Sequence, residues 1–291
     1  MRQGLIWKQG LDEQEQAEIR ELAEACEEHD GIRLKLNWDM LQARPADQMN
    51  DVLYYKDGKL VAFLGIYIII PAEAELSGMV HPDYRRQGMF MRMVEEAFEQ
   101  LSRRGPKEVI YICSRDSASG VAFLQRRGLP YAFSEYVMER KDADNAPLPS
   151  GQQREIHLRE AGADDVTMLA ELNRVGFGLP EQEADDLATA ALSTRELTYI
   201  IESGGRAVGK LGVLLEGDTA FIYGFCMRPE ERGHGLGRAA LAGTIERLRR
   251  ELNIACFELE VAVSNERALG LYESCGFRRT NVIDYYKEAL L

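Results

Sequence analysis

Arg232-Gly233-His234-Gly235-Leu236-Gly237 decides how this chain is read. It follows a strand-like run, Ala220 to Met227. It opens a helix-like run with Leu241, Ile245, Leu248 and Leu252 on one face. A glycine-rich turn at a helix start presents free backbone N–H groups at the positive end of the helix dipole. That arrangement holds a phosphate or pyrophosphate. The stretch therefore predicts a ligand with a phosphate chain.

The same pattern occurs upstream. Met79-Val80-His81-Pro82-Asp83-Tyr84-Arg85-Arg86-Gln87-Gly88-Met89 also passes from a strand into a helix. Pro82, Arg85 and Gly88 precede Pro229, Arg232 and Gly235 by 147 residues each, and Gly128-Leu129 precedes Gly276-Phe277 by 148. Two separate blocks sharing one offset imply two copies of one domain. A stretch rich in Pro, Asp, Asn and Gly lies near the midpoint and reads as a linker. The expected division is residues 1–140, a linker at 141–153, and residues 154–291.

In the second copy the pattern predicts strands over 156–160, 197–202, 207–215, 220–227 and 256–263. Helices are expected over 163–175, 181–192, from the glycine loop to about 251, and 265–274, with a final strand pair after Gly276. The first copy matches from Val52 onward. Its first strand is not evident, and Asp12 to Glu28 reads as a long leading helix.

The chain has 291 residues, 45% hydrophobic and 29% charged, an ordinary globular composition. No apolar run approaches the roughly 20 residues of a membrane helix, and the N-terminus lacks a signal-peptide core. The five cysteines are scattered and form no CxxC pair, so free thiols in a reducing cytoplasm are expected, with no metal site. The net charge of −13 argues against a nucleic-acid partner and suits an amine acceptor.

The order strand, R-x-x-G-x-G, helix, strand, N-x-x-A-x-x-x-Y-x-x-x-G-F resembles the acetyl-CoA-dependent N-acetyltransferases of the GNAT superfamily. Arg232 to Gly237 match the pyrophosphate loop. Asn265, Ala268, Tyr272, Gly276 and Phe277 match the second motif. The resemblance implies an α/β (α+β) fold: two tandem GNAT-like domains, each a mixed, mostly antiparallel sheet flanked by helices and splayed after its fourth strand. It implies acetyl-CoA as acyl donor, with the backbone at Cys226 and Met227 holding the pantetheine arm. Arg232, Gly233, His234, Gly235, Leu236, Gly237, Arg238 and Asn265 would hold the rest. Tyr272 takes the position of the general acid. Glu260, on the fifth strand and twelve residues before Tyr272, is the candidate base. That spacing, with Asp284-Tyr285-Tyr286 near the end, is similar to the ribosomal-protein N-terminal alanine acetyltransferases. The tandem layout resembles the mycothiol synthases.

The first copy departs from the pattern. Phe90 replaces the last glycine of the loop, Leu124 stands at the acid position, Ile112 at the base position and Ser117 at the Asn position. Neither Leu nor Ile moves a proton, so catalysis is expected in the second copy. A second CoA site through Val80, Arg85, Arg86, Gln87, Gly88 and Met89 is one expectation for the first copy, and a packing role is the other. The expected activity is acetyl transfer to a primary amine of a small molecule or peptide. A non-catalytic acyl-CoA-binding protein is the competing expectation. No membrane partner is expected, and the chain is expected to be a monomer of two pseudo-symmetric domains or a homodimer.

Overall fold

The computed structural model describes residues 2–44, 47–141, 156–193 and 196–290. The linker expected at 141–153 lies outside the described residues except for Lys141. The chain forms two compact units, one of Met1–Glu135 with Asn281–Leu291, the other of Tyr136–Thr280.

The first unit begins with β1 (Gly4–Lys8), the strand the sequence did not reveal, and α1 (Glu13–Asp30). Asp12 caps α1 by accepting from the Glu15 N–H at 2.8 Å, and the Glu15 carboxylate accepts in return from the Asp12 N–H. This capping box satisfies two otherwise orphaned donors. A short α2 (Trp38–Gln42) precedes β2 (Asp51–Lys56), β3 (Lys59–Tyr67), β4 (Glu73–Val80), α3 (Met89–Leu101), β5 (Glu108–Ser114) and α4 (Ala118–Arg127). Successive strand residues face opposite sides. Leu53, Tyr55 and Phe63 therefore pack with Ile19 and Leu22 of α1, while Val52, Ala62 and Leu64 pack with Met93, Val94 and Ala97 of α3.

β6 (Tyr131–Lys141) leaves the first unit and enters the second. There follow β7 (His157–Glu160), α5 (Val166–Phe177), α6 (Glu181–Ser193), β8 (Leu197–Ser203), β9 (Arg206–Glu216), β10 (Thr219–Met227), α7 (Leu236–Leu252), β11 (Cys256–Ala262) and α8 (Glu266–Ser274). The helix expected from 163 begins with a 3-10 turn, Ala163–Asp165. α7 and α8 cover one face of this sheet, where Leu241, Ile245 and Leu248 meet Ala220, Ile222, Phe257 and Leu259. On the other, Leu169 and Ala170 of α5 and Ala188 of α6 pack on Ile200.

One expectation changes at the C-terminus. In place of a strand pair after Gly276, a single long strand runs, β12 (Arg278–Ala289). Its Ile283–Ala289 stretch pairs antiparallel with β5, from Ile283↔Ser114 to Ala289↔Glu108. The strand order is β1-β2-β3-β4-β5-β12 in the first unit and β6-β11-β10-β9-β8-β7 in the second. Relative to a cut at 140 and 154, Tyr136–Lys141 group with the second unit and Asn281–Leu291 with the first. The reason is chemical. Asp284 takes a two-pronged ion pair from Arg115, at 2.6 Å for the nearest contact, and accepts from Ser134. The Asp284-Tyr285-Tyr286 run thus serves the first unit.

Parallel pairing joins β4 with β5 and β10 with β11, and both ladders are short. The β10–β11 ladder runs from Thr219↔Cys256 to Ile222↔Leu259 and stops. The β4–β5 ladder runs from Glu73↔Glu108 to Leu76↔Tyr111 and stops. Each unit has the splay after its fourth strand that the sequence resemblance implies.

Candidate functional site

The splay in the second unit begins where β10 bulges. Tyr223 pairs with Gly212 of β9 and Cys226 with Lys210, so Gly224 and Phe225 together face the single residue Leu211. Gly224 takes a φ of 54°, a conformation that disfavours side chains. The bulge re-aims the strand. Phe225 and Met227 turn toward the α7–α8 face, while Cys226 turns toward α5, its thiol donating to the Leu172 carbonyl at 3.5 Å. Burial raises the Cys226 thiol above its ordinary value, which suits a packed core residue rather than a nucleophile.

After Met227 a 3-10 turn, Pro229–Glu231, leads into the glycine loop. Gly233 and Gly235 hold φ of 82° and 79°. Gly235 is the N-cap of α7 and supplies no side-chain hydrogen bond, so the first-turn N–H groups are not capped in that way. α8, by contrast, is capped by Asn265, whose side chain accepts from the Ala268 N–H at 3.2 Å. The uncapped end is the one suited to an anion. His234 and Arg238 are exposed on the loop and Leu236 is buried beneath it. Gly237 is tightly enclosed. A Cβ there would lie 3.1 Å from Leu271 and 3.6 Å from Phe225.

Two predicted residues have a structural contact of their own. Arg232 turns inward, its Nε donating to the Met227 carbonyl at 2.9 Å and an Nη to Gly176 at 3.4 Å. The guanidinium therefore braces the loop. Asn265 is the helix cap just described. Conversely, Arg267 of α8 escaped the sequence reading. Its guanidinium lies 3.3 Å from where a Cβ on Gly233 would sit. The signal was its place in the first turn of the helix, two residues after Asn265.

Tyr272 is 8% exposed, with Phe225 and Phe277 ring centroids at 6.4 and 6.1 Å. Burial pushes its phenol up to about 12. Among the described residues its hydroxyl makes no hydrogen bond. Glu260 lies on the other face of β11, because Leu259 and Val261 beside it point into the core that holds Tyr272. It is half-buried and stands just past the last parallel pair. Acid and base candidates therefore flank the splay from opposite faces.

The first unit repeats this framework with different contents. Gly88 caps α3 at φ 79°, again with no side-chain hydrogen bond. Arg85 repeats the inward turn, its Nε donating to the Val80 carbonyl at 3.0 Å, and its fork pairs with Asp30 at 2.8 Å. Arg86 stands where the second unit has Gly233 and holds a φ of 65°. A cavity of about 360 Å³ opens here, lined by Val80, Arg85, Arg86, Gln87, Gly88 and Met89. Its wall also includes Ile112, Phe123 and Leu124, so it is apolar where the second unit has Glu260 and Tyr272. No cluster of metal-ligating side chains is found among the described residues.

A splayed sheet with an uncapped, glycine-led helix at the splay defines an acyl-CoA-dependent acyltransferase. The chain belongs to the acetyltransferase (GNAT) family, whose model matches it twice, over residues 13–129 and 166–277. It is an N-acetyltransferase by class. A mycothiol acetyltransferase of Thermomonospora curvata is 27% identical over 295 residues, covering 97% of both chains. A putative ribosomal protein bS18 alanine N-acetyltransferase of Bacillus subtilis is 35% identical over 122 residues, 42% of this chain and 80% of its own. Among solved structures, a GCN5-related N-acetyltransferase from Sphaerobacter thermophilus superposes with a TM-score of 0.80 at 19% identity, covering 98% of this chain and 96% of that one. A tandem GNAT protein of the clavulanic acid biosynthesis pathway reaches 0.75 at 17% identity, covering 99% and 98%.

Proposed function

We propose that the second unit acetylates a primary amine and that the first unit binds acyl-CoA without catalysing transfer. The placement of Tyr272 and Glu260 on the two sides of one splay carries the first half of this reading. Acetyl-CoA supplies the acetyl group as an activated thioester. Gly233, Gly235 and the uncapped first turn of α7 fit its phosphates, and Arg267 adds a charge. The backbone at Cys226 and Met227, freed from β11 pairing by the splay, fits the arm.

An amine attacks only when neutral, and a side-chain ammonium with pKa of about 10.4 needs a proton acceptor at neutral pH. Glu260 takes that proton, directly or through one water. Tyr272 holds a proton on Oη for the departing sulfur. Its raised pKa keeps the phenol protonated at working pH, as an acid requires. The first unit offers the same anion cradle at Gly88 and a cavity of about 360 Å³, but Leu124 and Ile112 move no proton. The mycothiol and ribosomal-protein relatives support the amine of a small thiol metabolite or a peptide N-terminus as acceptor classes.

Acetyl-CoA with a panel of amines should release free CoA, and Tyr272→Phe should slow that release by tenfold or more, about 1.4 kcal/mol in the barrier. Gly235→Glu should abolish turnover, while Gly88→Glu should remove one of two CoA sites seen by calorimetry and leave turnover intact. An unchanged rate in Tyr272→Phe removes the acid role, and one CoA site unaffected by Gly88→Glu removes the second.

A further inference from the structure

Lys210 of β9 is buried, 8% exposed, although lysine is rarely buried without a partner. It sits across from Cys226 at the β10 bulge, on the face covered by α5. Its ammonium lies 3.3 Å from where a Cβ on Gly224 would be and 5.6 Å from the centre of the Phe177 ring. Among the described residues no carboxylate pairs with it. Glu171 of α5 pairs with Arg228 at 2.7 Å, and Glu196 accepts from the Tyr223 hydroxyl. Burial lowers the pKa of the ammonium.

A buried cation without an anion is costly, and an aromatic face offsets only part of that. The position makes the anomaly informative. Lys210 stands on one side of the Gly224 kink, and Glu260, on the same face of β11, stands on the other. A lone ammonium docking there would meet a carboxylate and a repelling cation. A molecule carrying both an amine and an anion would meet a partner at each end.

We propose that Lys210 is the recognition group for a carboxylate on the acceptor, so that the second unit acetylates α-amino acids or similarly zwitterionic amines. This rests on the acetyltransferase reading above. Lys210 binds the acceptor carboxylate, and the amine is directed toward Glu260. Nothing in the glycine loop or the motif around Tyr272 encodes this preference. It comes from one residue on a strand that the donor does not require.

The test uses the full chain, acetyl-CoA, the common L-amino acids and the matching L-amino acid amides, which differ only in the carboxylate. For at least one side chain the acid should exceed the amide by tenfold or more in kcat/KM. Lys210→Met should erase that ratio, raising KM for the acid by tenfold or more relative to KM for the amide. Lys210→Arg should retain part of it. Calorimetry in saturating CoA should show the same order, with acid binding weakened tenfold by Lys210→Met. Amides equal to acids in the wild type overturn the proposal, as does an equal kcat loss on both acceptors in Lys210→Met. Turnover confined to amines without a carboxylate overturns it and spares the acetyltransferase reading. Tight CoA binding with no amine acetylated overturns both.

Discussion

At the residue scale, several side chains gained a second meaning once their contacts were known. Arg232 and Arg85 match one another in sequence, and their Nε atoms reach carbonyls five residues earlier, Met227 and Val80, at 2.9 and 3.0 Å. The sequence resemblance places Arg232 among the residues that hold CoA, and the repeated geometry gives both arginines a bracing contact within their own loops. Tyr272 makes a pH prediction. Its phenol is raised to about 12 by burial, so the neutral form persists through the working range. The rate should rise with pH as the acceptor amine and its base lose their protons, and Tyr272 should cause no fall below a pH of about 11. A falling limb near pH 8–9 that vanishes in Tyr272→Phe would contradict this. Lys210 was invisible to motif reading, because a lysine in an apolar strand looks like any surface residue until its burial is measured.

At the element scale, the two splays are built from the same parts with volumes exchanged. In the second unit an aromatic stands on the strand, Phe225, and a glycine on the helix, Gly237. In the first unit the matching positions hold Gly78 on the strand and Phe90 on the helix. A Cβ on Gly78 would lie 2.9 Å from the Phe90 ring, and Phe90 packs edge-on against Phe123 at 5.0 Å. Close-packed cores respond to such changes jointly. Gly237→Phe alone should destabilise the second unit by about 1–3 kcal/mol through overpacking. Adding Phe225→Gly should recover most of that in urea unfolding. Strictly additive losses would show that the exchange is coincidental. The sequence revealed the substitution of Phe90 for glycine but not its compensation, which needs the strand and helix in contact. The glycine loops and most strands were legible because their signals are local. β1 was not, since Gly4–Lys8 is half-buried throughout and shows no alternation.

At the scale of the whole molecule, the sequence repeat and the compact units do not share boundaries. Residues 281–291 were read with the second copy, yet β12 pairs with β5 and supplies Asp284 to Arg115 and Ser134. Tyr285 accepts from Lys35 at 2.8 Å and donates to Glu135. These partners lie 150 or more residues apart in the chain, beyond any local pattern. Removal of residues 281–291 should therefore damage the first unit. Amide exchange along Glu108–Ser114 should accelerate in the truncated chain, and the CoA site proposed at Gly88 should be lost. Unchanged protection there would mean that β12 is dispensable.

The closing strand also sets an order on synthesis. The first 135 residues leave the ribosome with β5 lacking the neighbour that later covers it. At about 5–20 residues per second, the wait for that neighbour is on the order of ten seconds. During it an apolar strand edge stands open, the kind of surface that pairs with other nascent chains. The half of the protein that is made first is thus completed last, and a stalled or prematurely ended translation product would be prone to aggregate.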